Sequence, residues 1–231
     1  MSSFWLVGAS NGQILAEHLG VKFCKLKDLS ENAVDRFLSD EAGRNRMPKL
    51  LVFMMPTNPI IPGERYYQRN VLHVHKTANM SRPHNLSYVM LKMAEILSKL
   101  QSEGFTVFLF PNLLRAFTKV CSCEMAIWHH PYKQVQLFKQ FEKQTSNLLE
   151  ASSSQWCVMD FILYLNDSLN LNKPRKWTDT PLTQVFSRIL QPDVIHLNSL
   201  GVDLVSSYIF KKLSEKYPQT DLGLPTTGLC H

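Results

Sequence analysis

Four polar residues that could together carry out acyl transfer are spread along the chain. Ser10 comes just after a short apolar segment, Asn58 follows a second one, and Asp193 and His196 stand three residues apart towards the C-terminal end. A serine hydroxyl becomes a nucleophile when a base takes its proton, and histidine can be that base. Ser10 could thus attack a carbonyl carbon, with His196 as general base and Asp193 orienting the imidazole. The side-chain NH2 of Asn58 and the backbone N–H of Ser10 could hold the oxyanion.

The elements that must position these residues alternate between strand and helix along the whole chain. Apolar runs predict strands at 4–8, 21–26, 49–55, 105–110 and 156–165. Helical periodicity predicts helices at 13–19, from Asp28 or Ser30 to Leu38, at 85–103, at 132–149 and at 197–212. The run at 49–55 is apolar on both faces, which is typical of a central parallel strand. Because right-handed crossovers join such elements into layers, the pattern predicts an α/β fold with a central parallel sheet and helices on both faces.

Three stretches are expected to be loops. Residues 59–83 show no periodicity, residues 111–130 are loop-like, and residues 172–181 are polar. Long ordered loops are often functional. In an open α/β sheet, ligands bind beyond the carboxyl ends of the strands. Ser10, Asn58, Asp193 and His196 should therefore converge on that edge.

Three sequence blocks carry a family resemblance. VGASNGQIL contains Ser10, FMMPTNP contains Asn58, and QPDVIHLNSLGVDLVSSYI contains Asp193, His196, Asn198 and Gly201. In this order, the blocks resemble the opening, asparagine and closing blocks of SGNH (GDSL-type) hydrolases. The closing block is the most specific of the three, and together they span nearly the whole chain.

The resemblance implies a flavodoxin-like three-layer α/β/α sandwich. It also implies hydrolysis of an acyl or acetyl ester through a triad of Ser10, His196 and Asp193, with Ser10 and Asn58 in the oxyanion hole. A small ester would be the substrate, and neither a metal nor an organic cofactor would be needed.

The sequence departs from the family pattern in the opening block, after the second predicted strand and in the asparagine block. Ala9 stands where the family has aspartate, no glycine follows the second predicted strand, and Pro56 and Pro59 flank Thr57-Asn58. Altered supports of this kind leave a second hypothesis open, in which the same fold has lost catalysis and binds RNA, as in Oskar-like relatives. Retroelement-encoded esterases are the other group to which the sequence is similar.

Basic residues would provide the RNA-binding surface in that alternative. Several should border the carboxyl-end face of the sheet: Lys27, Arg65, Arg69, Lys173, Arg175 and Lys176. Tyr66, Tyr67 and Trp177 lie among them and could stack on bases. A solvated basic surface with aromatic packing explains the same residues without RNA.

Length and composition set the outer limits. The chain has 231 residues, a net charge of +6 and 45% hydrophobic residues, which predicts a single globular domain over residues 1–217 and a loose tail over 218–231. No stretch is long and apolar enough for a membrane span, and the start lacks the features of a signal peptide. An intracellular protein, cytoplasmic or nuclear, is expected.

The cysteines and histidines do not predict a metal site or a disulfide framework. The five cysteines are odd in number and scattered in spacing. Cys121 and Cys123 followed by His129 and His130 match no standard zinc spacing. A structural or incidental role is expected for this group.

Overall fold

A computed structural model describes residues 4–26, 34–36, 38–39, 49–54, 65–68, 71–74, 86–110, 131–171, 179–192 and 196–218. Side chains are described for most of these residues, and only the backbone for 65–68, 71–74, 86–89, 131–134, 137 and 179–183.

The described strands form a parallel sheet and a separate hairpin. Their bounds are β1 Trp5–Gly8, β2 Phe23–Lys25, β3 Leu50–Met54, β4 Arg65–Gln68, β5 Val71–Val74, β6 Thr106–Phe110 and β7 Ser154–Gln155. The five-stranded sheet has the order β2-β1-β3-β6-β7, and each neighbouring pair is parallel. This is the strand order of flavodoxin-like folds. The predicted fold class is confirmed.

Helices cover both faces of the sheet. They are α1 Ser10–Leu19, α2 Leu86–Ser102, α3 Pro131–Thr145, α4 Val158–Ser168, α5 Asp179–Ile189 and α6 Ser199–Lys216, and residues 34–36 and 38–39 are also helical. Helix α1 packs against α6, and α2 packs against α3. Gly20 and Gly104 follow α1 and α2 with positive φ angles of 62° and 81°, and a backbone of this kind favours glycine at a helix end.

The core lies around the middle strands, as the apolar run at 49–55 predicted. Strand β3 sits between β1 and β6, and all five of its residues are buried. Strands β1 and β6 flank it with equally apolar residues, because helices cover both faces of a parallel sheet. Strand β2 lies at the sheet edge. Its alternation of apolar and basic residues is typical of that position.

The strand predicted at 156–165 is wrong. The edge strand β7 is only Ser154–Gln155, and helix α4 begins at Val158. Val158, Phe161, Ile162 and Leu165 are buried at the spacing of a helix. The helix also has apolar residues on its exposed face. The segment 156–165 is therefore apolar along most of its length and shows no clear helical period in the sequence.

Two of the predicted loops contain regular structure. In 59–83, β4 and β5 pair as an antiparallel hairpin with Gln68 opposite Val71, and α5 begins at Asp179, inside the polar stretch 172–181. Leu200 in the last helix is 40% exposed, because Val202, Val205 and Ile209 form the buried face of that helix. Residues 111–130 lie outside the described residues, and so does the expected tail at 218–231 apart from Pro218.

Candidate active site

Strands β1 and β3 end side by side at the point in the sheet where the strand order reverses direction. Ligands of open α/β sheets usually bind at this point. Gly8, the last residue of β1, allows this close approach. A Cβ at Gly8 would lie 2.7 Å from the carbonyl oxygen of Met54, the last residue of β3. The chain then passes through Ala9 directly into α1, so the first residue of that helix is at this edge of the sheet.

Ser10 is that first helical residue. Ala9 has extended backbone angles of φ −99° and ψ −156°, and the helical hydrogen bonds begin with Gln13 N–H donating to the Ala9 carbonyl oxygen at 3.1 Å. The Ser10 side chain is exposed, and no acidic residue occupies the first turn. The N-terminal end of a helix carries partial positive charge and favours negative charge developing beside it.

His196 reaches Ser10 from the far end of the sequence. It lies in the connection between α5 and α6, and its Nε2 atom is 3.0 Å from the Ser10 Oγ atom. In the tautomer protonated at Nδ1, the serine hydroxyl donates to Nε2, which is the arrangement for proton removal from a nucleophile. The structure thus brings together two of the four residues predicted for acyl transfer.

The two residues that follow α5 hold one side of the His196 segment. The backbone N–H of Gln191 donates to the His196 carbonyl oxygen at 2.7 Å, and the Gln191 side chain donates to the Leu197 carbonyl oxygen at 2.9 Å. Leu190 and Leu197 form an antiparallel bridge, and Leu197 is 1% exposed. The residue next to His196 is therefore fixed in the core.

Asn198 joins the same segment to both neighbouring helices. Its side-chain NH2 donates to the carbonyl oxygens of Arg188 (2.8 Å) and Leu190 (3.1 Å), and its Oδ1 accepts from Gly201 N–H at 2.8 Å as the N-cap of α6. A Cβ at Gly201 would lie 2.1 Å from the Ile189 carbonyl oxygen. The close contact of α5 with α6 therefore needs glycine at this position.

Asn11 connects the His196 segment to the helix that carries Ser10. Its Oδ1 atom accepts a hydrogen bond from Leu197 N–H at 3.0 Å. Sequence reasoning assigned no role to Asn11 or Gln191, because each acts through a contact that only the folded chain creates. An asparagine directly after the serine was visible in the sequence, but nothing there connected it to Leu197.

The other predicted site residues have no described side chain. Arg65 belongs to β4, of which the backbone alone is described. The rest lie outside the described residues: Lys27, Asn58, Arg69, Lys173, Arg175, Lys176 and Asp193. Cys121, Cys123, His129 and His130 also lie outside them.

The described part of the chain holds neither a cluster of side chains suited to a metal ion nor a helix suited to cross a membrane. There, no three His, Cys, Asp or Glu side chains lie together as they would around a metal ion. None of the helices found among those residues combines the length and apolar character that a membrane crossing requires.

Comparison with known proteins shows a shared fold. No family model matches the sequence, and no curated protein matches it. Among solved structures, an acetyl xylan esterase is 15% identical with a TM-score of 0.54, covering 91% of this chain and 99% of its own. A proposed acylhydrolase from Bacteroides fragilis is 13% identical with a TM-score of 0.53, covering 92% and 86%. A GDSL-like lipase from Bacteroides thetaiotaomicron is 14% identical with a TM-score of 0.51, covering 92% and 87%. This chain has a GDSL hydrolase-like fold.

Proposed function

We propose that this protein is a serine esterase of the GDSL type, which hydrolyses a small acyl or acetyl ester. The observation that carries the proposal is the contact of 3.0 Å between Ser10 Oγ and His196 Nε2. A hydroxyl at a helix start, in contact with an imidazole at the strand-order reversal of an α/β sheet, is the arrangement that activates a serine nucleophile. The Ser10 side chain is exposed, so an ester can reach it.

In the acylation step, Ser10 Oγ attacks the ester carbonyl carbon while its proton passes to His196 Nε2. The carbonyl oxygen becomes an oxyanion next to the N-terminal end of α1, which favours its negative charge. The intermediate then collapses with cleavage of the bond to the alcohol oxygen. That oxygen receives the proton from Nε2, and the acyl group remains on Ser10.

Deacylation repeats the sequence with water. His196 Nε2 takes a proton from water as the water oxygen attacks the acyl carbon, and Ser10 Oγ leaves and regains the proton. Asp193 orients the imidazole and stabilises its charged form, and Asn58 with the Ser10 backbone N–H binds the oxyanion. These roles for Asp193 and Asn58 come from the family resemblance.

The substrate class is supported by the structural comparisons. The three similar structures are named as an acetyl xylan esterase, a proposed acylhydrolase and a GDSL-like lipase. All three names describe cleavage of an acyl group, so ester hydrolysis is the shared chemistry. No observation among the described residues favours the RNA-binding alternative.

Hydrolysis of p-nitrophenyl acetate, butyrate and octanoate tests the proposal. Wild-type protein should release p-nitrophenol, and Ser10→Ala and His196→Ala should each lose activity by about 10³-fold or more. Ser187→Ala is the matched control, because Ser187 is also exposed on a helix but donates to the Gln184 carbonyl oxygen at 3.0 Å. Unchanged turnover in Ser10→Ala would exclude Ser10 as the nucleophile.

A further inference from the structure

We propose that Asn11 is a positioning residue that keeps His196 next to Ser10 throughout the catalytic cycle. This inference rests on the proposed esterase function. It goes beyond that function by assigning a role to Asn11, whose Oδ1 atom binds the backbone of the residue next to His196.

Two neighbouring hydrogen bonds join the start of α1 to the His196 segment. In the first bond, Ser10 Oγ lies 3.0 Å from His196 Nε2. The second bond joins the residues that follow these two in the chain, and in it Leu197 N–H donates to Asn11 Oδ1 at 3.0 Å. Each bond joins residues 186 positions apart in the chain. The second bond therefore fixes the separation of the two backbones next to the reacting pair.

The hydrogen bond between Ser10 and His196 cannot hold the site together during the reaction. When Ser10 Oγ carries the acyl group it has no proton to donate, and His196 must then accept a proton from water. The bond between Asn11 and Leu197 contains no reacting atom, so it persists in the acyl-enzyme. It can keep the imidazole in place for the step in which water attacks.

The surroundings of Leu197 make this bond costly to lose. The Leu197 side chain is 1% exposed, and its carbonyl oxygen accepts from the Gln191 side chain. Without Asn11 Oδ1, the Leu197 N–H would lose its partner beside a buried side chain. A donor in that position moves towards water or another acceptor, and such a movement would displace the adjacent His196.

Three variants separate positioning from general stability. Asn11→Leu has nearly the same size and lacks the acceptor. Asn11→Asp keeps an oxygen at the Oδ1 position and loses the NH2. Gln13→Leu is the matched control, because Gln13 is an amide in the same turn whose NH2 donates to Glu17 at 2.9 Å on the exposed face.

We expect Asn11→Leu to lower kcat for p-nitrophenyl acetate by about 10- to 100-fold, because displacement of a catalytic group by about 1 Å costs roughly that much. KM should stay close to that of Gln13→Leu. The melting temperature should fall by about 2–4 °C, because the Leu197 N–H loses its hydrogen bond. Asn11→Asp should restore kcat, and its carboxylate should move the acidic limb of the pH profile to higher pH by favouring the imidazolium form. Equal kcat in Asn11→Leu and Gln13→Leu would overturn the inference and leave the esterase proposal intact.

A second measurement needs no turnover. Long-range ¹H–¹⁵N spectra of the histidine rings, with His196 assigned by its loss in His196→Asn, report the tautomer and its averaging. We expect one fixed tautomer in the wild type and averaged signals in Asn11→Leu. If the wild type hydrolyses no ester, the esterase proposal fails and this spectrum decides the inference: identical His196 signals in the two proteins overturn it.

Discussion

Replacement of Asn198 by alanine should destabilise the protein and displace His196. Loss of the α6 N-cap costs about 1 kcal/mol, and loss of the two bonds to the Arg188 and Leu190 carbonyl oxygens costs about 0.5–1 kcal/mol each because the site is partly exposed. The free energy of unfolding should therefore fall by about 2–3 kcal/mol. For a chain of this size, that lowers the melting temperature by about 4–12 °C.

The assay measures the free energy of unfolding in urea at 25 °C and the rate of ester hydrolysis on the same samples. Asn198→Ser keeps an oxygen that can cap Gly201 N–H but loses both donors, so we expect it to lose about 1–2 kcal/mol. Asn147→Ala controls for removal of an exposed asparagine elsewhere, in the 3₁₀ turn after α3. Its stability should stay within about 0.5 kcal/mol of the wild type.

Two results would refute this reasoning. An Asn198→Ala protein as stable as Asn147→Ala would mean that the three hydrogen bonds contribute nothing to the contact between α5 and α6. A destabilised but folded Asn198→Ala protein with unchanged kcat would mean that the position of His196 does not depend on Asn198.

Two further predictions concern the central strands and a carboxyl group. Gly8→Ala should lower stability by about 1–3 kcal/mol and reduce hydrolysis, because its Cβ would meet the Met54 carbonyl oxygen at 2.7 Å; urea unfolding and p-nitrophenyl acetate turnover that both match the wild type would contradict this. Burial raises the pKa of Glu142, which accepts from Val158 N–H, from 4.5 to about 7. The folded protein therefore binds this proton more tightly than the unfolded chain, and this stabilisation is complete below pH 4.5 and is lost as the pH rises through about 7. Glu142→Gln should remove that part of the pH dependence, and an unchanged slope of stability between pH 4.5 and 7 would count against it.

Sequence patterns predicted the sheet strands that are long, central and bounded by turn residues. Strands β1, β3 and β6 each read as a continuous apolar run, and burial on both faces leaves few other structures for such a run. Helix α4 was mistaken for a strand for the same reason, since it is apolar on most of its surface. The hairpin was missed because two strands of four residues give a weak periodic signal. Helix α5 was missed because it begins inside a polar stretch and contains Pro181, although its buried residues Val185, Phe186 and Ile189 recur at helical spacing.

The meeting of Ser10 with His196 was foreseeable, but the contacts that hold it were not. The rule that ligands bind at the carboxyl ends of parallel strands, together with the ordered sequence blocks, predicted that both residues reach one edge of the sheet. The bond from Leu197 to Asn11 depends on the distance between two backbones far apart in sequence. No local pattern encodes that distance, so such contacts emerge only in the folded chain.

Labelling with a fluorophosphonate probe, followed by peptide mass spectrometry, tests the central claim most directly. A serine with a working base attacks the phosphorus, so the adduct should form on Ser10 in the wild type. It should be absent from Ser10→Ala, strongly reduced in His196→Ala and unchanged in Ser187→Ala. A folded wild-type protein that takes up no probe, or takes it up at another residue, would contradict the claim that His196 activates Ser10.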